Sequence, residues 1–174
     1  MSLILVSPLS ALPEVLRTYQ PSHLITLLSP EFMIETPGGF PADRHLRLAM
    51  NDVCDPALSP CPPHEDHISS LIEFTRLWDG KRPMVVHCWA DVSRSMAATY
   101  AILCDRAWKG AEFRIAREIR ARAPHAYPNR LLVRLADQYL EREGRMVQAV
   151  AEMAPGVTVE EGRPVEFRLE DFGL

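Results

Sequence analysis

Lysine is nearly missing from this chain. Of its 19 Lys and Arg residues only Lys81 and Lys109 are lysines, and the formal net charge is −4. A basic surface of the kind that neutralises phosphate backbones is therefore absent, which argues against a nucleic-acid-binding domain. No apolar run approaches the length needed to cross a membrane. The opening "MSLILVSPLSALPEV" lacks the basic start of a secretory leader and meets Pro8 early, so it reads as a first strand. Four cysteines, Cys54, Cys61, Cys88 and Cys104, are too few for a disulfide framework, and a reducing, cytoplasmic setting is expected. Internal repeats and low-complexity segments are also lacking. Arginine in place of lysine, with abundant Ala and Pro, suggests a GC-rich bacterial genome.

What is present suits one globular domain spanning residues 1–174, with 47% hydrophobic and 24% charged residues. Short apolar runs at 3–7, "HLITLLS" at 23–29 and "PMVVHC" at 83–88 read as buried strands, and "HLRLAMNDV" as a further strand ending near Asn51. "SALPEVLRTY" reads as a short helix with Ser10 as its N-cap. "HEDHISSLIEFTRLWDG" carries apolar residues at helical spacing and meets Gly80 after its end. Helices follow over "SRSMAATYAILCDRAWKG", "AEFRIAREIRARA" and "NRLLVRLADQYLEREGRMVQAVAEM", the last broken at Gly144. The tail, residues 155–174, has no helical period and is expected to run extended. Strands alternating with helices predict an α/β fold: a central, mostly parallel sheet of about four to five strands flanked by helices.

The stretch "MVVHCWADVSRSMAATY" joins an apolar strand to a helix, and Cys88 and Arg94 bracket the connecting loop. Unpaired N–H groups and the helix dipole at such a junction bind anions. The same field lowers the pKa of a thiol, and a thiolate is a strong nucleophile. Arg94 offers a planar fork that matches two phosphate oxygens. Trp89, Ala90, Asp91, Val92, Ser93 and Arg94 would form the phosphate-binding loop. Ser95 is placed to hydrogen-bond the thiolate and make it a better leaving group.

"HCWADVSRS" resembles the signature of the cysteine-dependent protein tyrosine phosphatases, H-C-x-x-G-x-x-R-[ST], at His87, Cys88, Arg94 and Ser95. The overall pattern is similar to the compact dual-specificity-like bacterial branch, and the resemblance spans roughly residues 3–140. It implies a phosphatase-like fold with a strand–P-loop–helix site and no metal or other cofactor. It also implies a general-acid aspartate some thirty-odd residues before the cysteine, which selects Asp52 in "AMNDV", with Asp55 as runner-up and Asp66 less suited. Pro128 and Asn129 match the Pro-Asn pair that opens a late helix in that branch. His87 and Asn129 would support the site from behind. The activity implied is phosphomonoester hydrolysis through a cysteinyl-phosphate, on a phosphorylated protein or small phosphomonoester, with a monomer favoured.

One residue departs from the pattern. Asp91 stands where the family usually has glycine. Asp tolerates a left-handed backbone better than most residues, so the loop can still form. Its charge is the concern: at ~6 Å and an effective dielectric near ~20, a like-charge pair costs on the order of 2–3 kcal/mol unless the carboxylate is paired or solvated. A binding module that holds phosphorylated ligands without turnover is therefore the alternative. Sulfur-transfer or arsenate chemistry is a third reading, which would need no acid at Asp52.

The other conspicuous residues have plainer readings. Cys54, Cys61, His64 and His67 are zinc-type ligands, but their spacing fits no usual module. Cys54, close to Asp52, could form a protective disulfide with Cys88. Cys104 reads as core, and Trp78 and Trp108 as core or rim. Trp89 either lines the pocket mouth or packs beneath the loop. The arginines of "EFRIAREIRAR" share one helical side and read as a solvated face, or as a docking patch for acidic partners.

Overall fold

The computed structural model describes residues 2–174. Its sheet has five strands: β1 Leu3–Pro8, β2 His23–Leu28, β3 His45–Ala49, β4 Met84–Cys88 and β5 Val165–Arg168. They lie in the order β3-β2-β4-β1-β5. The first four are parallel, and β5 runs antiparallel along β1, with Leu3 opposite Arg168 and Val6 opposite Val165. Six helices surround the sheet: α1 Leu12–Tyr19, α2 Glu65–Arg76, α3 Arg94–Arg106, α4 Glu112–Arg122, α5 Arg130–Tyr139 and α6 Arg145–Ala151.

Strand alternation divides the core in two. Leu3, Leu5, Leu24 and Val85 face α1 through Leu12 and Val15, with Ile34 and Phe40 of the following loop at the edge. Ile4, Val6, Ile25, Leu27, Met84, Val86 and Cys88 face the opposite layer, built from α2 to α6. Both faces are covered, so β1 and β4 are buried at every position, as parallel strands with helices on either side require. The centre of the larger layer is α3, buried from Arg94 to Cys104. Its small residues Ala97, Ala98 and Ala101 let it lie close to neighbours all round.

Several local expectations shift. β3 ends at Ala49 rather than near Asn51: Met50 N–H still reaches Leu28 O of β2, but Asn51 N–H turns to Cys61 O. Ser10 does not cap α1: a short 3-10 turn precedes the helix, Ala11 takes the cap position, and the Ser10 hydroxyl donates to Glu161 at 2.8 Å. The late helical run does break at Gly144, whose φ of 83° suits a residue without a Cβ. There Asp137 receives the N–H groups of Gly144 and Met146 at 2.7 and 2.8 Å and starts α6.

The tail passes the turn after α4, enters the sheet as β5, and then meets α4. Val157 N–H donates to Pro124 at 2.8 Å, and Phe172 closes the chain in the core at 1% exposure. The tail covers part of the arginine side of α4: Arg114 donates to the Phe172 carbonyl and Arg122 pairs with Asp171 at 3.1 Å, while Arg117 stays exposed.

Candidate active site

The carboxyl ends of β2, β3 and β4 converge on one loop, the usual location of ligand sites in open α/β sheets. Cys88 closes β4 and is 2% exposed. Its Sγ lies 3.1 Å from Ser95 Oγ in the first turn of α3. Between them, residues 89–93 curl so that their carbonyls face outward. Trp89 O accepts from Leu9 at 3.1 Å, Ala90 O from Gly162 at 2.7 Å, Val92 O from Tyr127 at 2.8 Å and Ser93 O from Asn129 at 3.2 Å. Because a trans peptide holds its C=O and the next N–H in opposite directions, the N–H groups of Ala90, Asp91, Ser93 and Arg94 turn inward. Four such amides at the start of α3 make a cradle of the kind that favours an anion.

Arg94 is fixed beside this cradle. Its Nη1 donates to Met50 O at 2.7 Å, beyond β3, and to Ser29 Oγ at 3.3 Å, beyond β2. Its Nε is buried, bonds to no protein atom among the described residues, and lies 3.8 Å from Asp52 Oδ2. Ser29 had no signal in the sequence beyond its position at a strand end.

Asp52 is drawn to the loop from the other side. Its Oδ1 accepts from Ser93 Oγ and Asn129 Nδ2, each at 2.7 Å. Asn129 also donates to Val53 O at 3.2 Å and accepts from Leu132 N–H at 3.0 Å as the N-cap of α5. The side chain of Asp52 stays 37% exposed, so it can exchange protons with solvent. Asp55 instead accepts from Ala57 N–H at 3.0 Å and closes a local turn, and Asp66 is exposed in the first turn of α2.

His87 is fully buried behind the cysteine. Its Nε2 meets Thr26 Oγ1 at 2.7 Å, and the same hydroxyl meets His45 Nε2 at 2.8 Å, with Thr36 beyond at 3.0 Å. This polar chain crosses three strands through the core. Burial pushes both His87 and His45 down to about 4, so both rings are neutral. Thr26, Thr36 and His45 are unremarkable in sequence, since only strand register brings them to His87.

Asp91 adopts φ 58°, the left-handed conformation in which glycine is usual. Its carboxyl group points inward and is fully buried. Oδ1 accepts from Ser95 Oγ at 3.1 Å, and Oδ2 faces His125 Nε2 at 3.5 Å. Burial raises its pKa to about 6, against the opposing pull of His125 and Ser95. The partner His125, in the turn after α4, carried no marking in the sequence beyond a histidine among small residues.

Trp89 is 50% exposed and not packed beneath the loop, and its ring lies 5.0 Å from that of Phe32. A cleft of about 400 Å³ opens on the Ser93 side of the loop, bounded by Cys54, Ser93, Tyr127, Asn129, Met153 and Pro155 among others. Cys54 is exposed and Cys88 buried, both as free thiols. In the loop between β3 and α2, His64 and His67 cap α2 reciprocally, His67 Nδ1 accepting from His64 N–H at 3.0 Å, and Cys61 donates to Ala49 O at 3.3 Å. Among the described residues no group of three or more His, Cys, Asp and Glu could hold a metal ion. Cys104 and Trp78 are core, whereas Trp108 is 65% exposed.

No family model and no curated protein matches the sequence. Solved structures do match the fold. The chain is similar to DUSP15, with 20% identity and a TM-score of 0.57 over 87% of this chain and 92% of that one. It is similar to PTPMT1, with 18% identity and a TM-score of 0.59 over 83% and 94%. It is also similar to the human tyrosine phosphatase-like serine/threonine/tyrosine-interacting protein, with 22% identity and a TM-score of 0.54 over 76% and 84%. The chain has the cysteine-dependent phosphatase fold. Within that fold the strand–loop–helix unit of β4 and α3 is the element that carries Cys88 and Arg94. No helix among the described residues is long and apolar enough to cross a membrane.

Proposed function

We propose that this protein hydrolyses phosphomonoesters through a cysteinyl-phosphate intermediate. The observation that carries the reading is the convergence of a buried thiol, an inward-facing amide cradle, an underused buried guanidinium and a partly exposed carboxyl group on one loop. Cys88 Sγ attacks phosphorus, the S–P bond forms, and the P–O bond to the leaving group breaks. Asp52, 3.8 Å from Arg94 and bonded to Ser93 and Asn129, gives its proton to the departing oxygen. Water then attacks phosphorus, Asp52 takes its proton, and the S–P bond breaks with Ser95 stabilising the thiolate. The amides and Arg94 bind the equatorial oxygens throughout. None of these steps requires a metal ion. The exposed Trp89–Phe32 pair favours a flat aromatic leaving group, and so a phosphotyrosine-like ester of a protein or small molecule.

Hydrolysis of p-nitrophenyl phosphate from acidic to neutral pH, without added metal, tests this for the wild type beside Cys88→Ser. Turnover that disappears in the variant is expected; a folded wild type inert at every pH would refute it. The second reading, a phosphate-binding module without turnover, has one observation in its favour: Ser95 donates to Asp91, which takes its proton away from the thiolate. Stable capture of a phosphotyrosine peptide by the unmutated protein, with no phosphate release, would support that module instead.

A further inference from the structure

A carboxylate in the phosphate loop should repel both the substrate dianion and the nucleophile. The structure buries it completely instead of exposing it. Its geometry explains how the loop accommodates it. Cys88 Sγ, Ser95 Oγ and Asp91 Oδ1 form a hydrogen-bonded chain with two separations of 3.1 Å. The serine hydroxyl has one proton and two neighbours that both want it. With Asp91 ionised, Ser95 donates to Asp91 and its lone pair receives the thiol S–H. With Asp91 protonated, Asp91 donates to Ser95 and Ser95 donates to the thiolate. The two arrangements hold the same number of protons.

We infer that Asp91 is the positioning residue that stores the Cys88 proton: the S–H bond breaks as Ser95 Oγ takes that proton, and the Ser95 proton passes to Asp91 Oδ1. The product is a thiolate beside a neutral acid. The inference rests on the phosphatase reading for its use in turnover, but the proton relay itself needs no substrate. Neutral Asp91 no longer repels a phosphate, so the departure from glycine becomes compatible with the cradle. The raised pKa of the buried carboxyl group, about 6, makes it a better proton store than an ordinary aspartate.

The surroundings hold the relay in place. His125, from the turn after α4, faces Oδ2 and leaves Oδ1 for Ser95. Gly162 of the tail lies over the pair, and a Cβ there would sit 2.6 Å from the His125 ring and 3.0 Å from Asp91 O. The titratable and charged groups nearby are Cys88 from β4, Arg94 at the start of α3, His125, and Glu161 and Arg163 of the tail, which line the cleft over His125. On the far side of the loop Asp52 bonds Ser93 and not Asp91. No other carboxylate contacts Ser95 among the described residues.

The test is the rate of Cys88 alkylation by iodoacetamide against pH, read by mass spectrometry of the Cys88 peptide so that exposed Cys54 does not interfere. Wild type, Asp91→Asn, Asp91→Gly and Ser95→Ala are compared, with p-nitrophenyl phosphate turnover measured in parallel. Asn keeps the left-handed backbone and Gly restores the residue that loop geometry prefers, so folding is retained in at least one variant. The relay predicts that both Asp91 variants move the alkylation midpoint up by at least about one pH unit, and that Ser95→Ala does the same with no further change from Asp91→Asn. It also predicts slower turnover for Asp91→Gly. A midpoint that falls or stays fixed in Asp91→Gly, with faster turnover, would overturn the inference and show Asp91 to be only a repulsive charge. Alkylation shifts in a protein with no turnover would leave the relay standing and refute the phosphatase reading alone.

Discussion

Replacing Asn129 by alanine should damage stability and turnover by separable routes. The side chain is 2% exposed and makes three hydrogen bonds. One caps α5 through Leu132 N–H at 3.0 Å, one reaches Val53 O at 3.2 Å, and one reaches the Asp52 carboxylate at 2.7 Å. Loss of an N-cap costs about 1 kcal/mol. A neutral bond contributes about 1 kcal/mol and a bond to a charged group about 1.5–3 kcal/mol. Asp52 is 37% exposed and can rehydrate, so the last figure is taken at its lower end or below. The sum is about 2–4 kcal/mol, a fall of roughly 5–15 °C in Tm for a domain of this size. Turnover should drop on the order of 10-fold to 100-fold, since Asp52 keeps only Ser93 to aim it. Asn129→Ser separates the effects: serine is a good cap and returns about 1 kcal/mol, but it is too short to hold Asp52. Thermal unfolding and p-nitrophenyl phosphate kinetics read both. An alanine variant that melts with the wild type, or a serine variant with full turnover, would refute this account of Asn129.

Other perturbations test other layers. Asp52→Asn should lower kcat on the order of 10²-fold to 10⁴-fold without changing the fold, whereas sulfur or arsenate chemistry would leave rates nearly unchanged. Thr26→Val keeps the shape but strips the hydroxyl shared by His87 and His45; two buried ring nitrogens lose their partner, at about 1–3 kcal/mol each, visible in urea unfolding. Phe167→Ala on β5, fully buried and 6.0 Å from Phe172, should cost about 3–5 kcal/mol; an unchanged urea midpoint would mean that the tail is not part of the fold. Stability should also fall with acidification. His87 and His45 are held down to about 4 by burial, so between ~6.5 and ~4 the unfolded chain binds more protons than the folded one. Each ring at full strength is on the order of 3 kcal/mol. Asp91 works in the opposite sense, since its pKa is raised to about 6 and the folded chain binds its proton first as pH falls below that value. The two histidines outweigh it, so the urea midpoint at pH 4.5 should lie below that at pH 7.

The parts of this molecule that were legible from sequence are those encoded locally. An apolar strand ending at Cys88, a six-residue step to Arg94 and the helix beyond it specify the loop with neighbouring residues only. The parts that were not legible depend on distant pairing. The strand "VEFR" is four residues long and takes its partner from β1, at the other end of the chain; its alternation is too short to stand out. The arginines of α4 showed a common side, but the Phe172 carbonyl and Asp171 that cover part of it come from the tail. Asp91 was visible as an anomaly, but the group it meets, His125, lies 34 positions away in a proline-flanked turn, and neither its burial nor that neighbour is encoded near it.

Cys88 as a nucleophile is tested most directly by acid-quenching the wild-type protein within the first turnover of p-nitrophenyl phosphate and mapping the phosphate by mass spectrometry. The account predicts a burst of nitrophenol, one equivalent at most, with the phosphate on the Cys88 peptide and on no other. A folded protein that releases nitrophenol with no phosphate on Cys88, or that turns over equally well as Cys88→Ser, would contradict it.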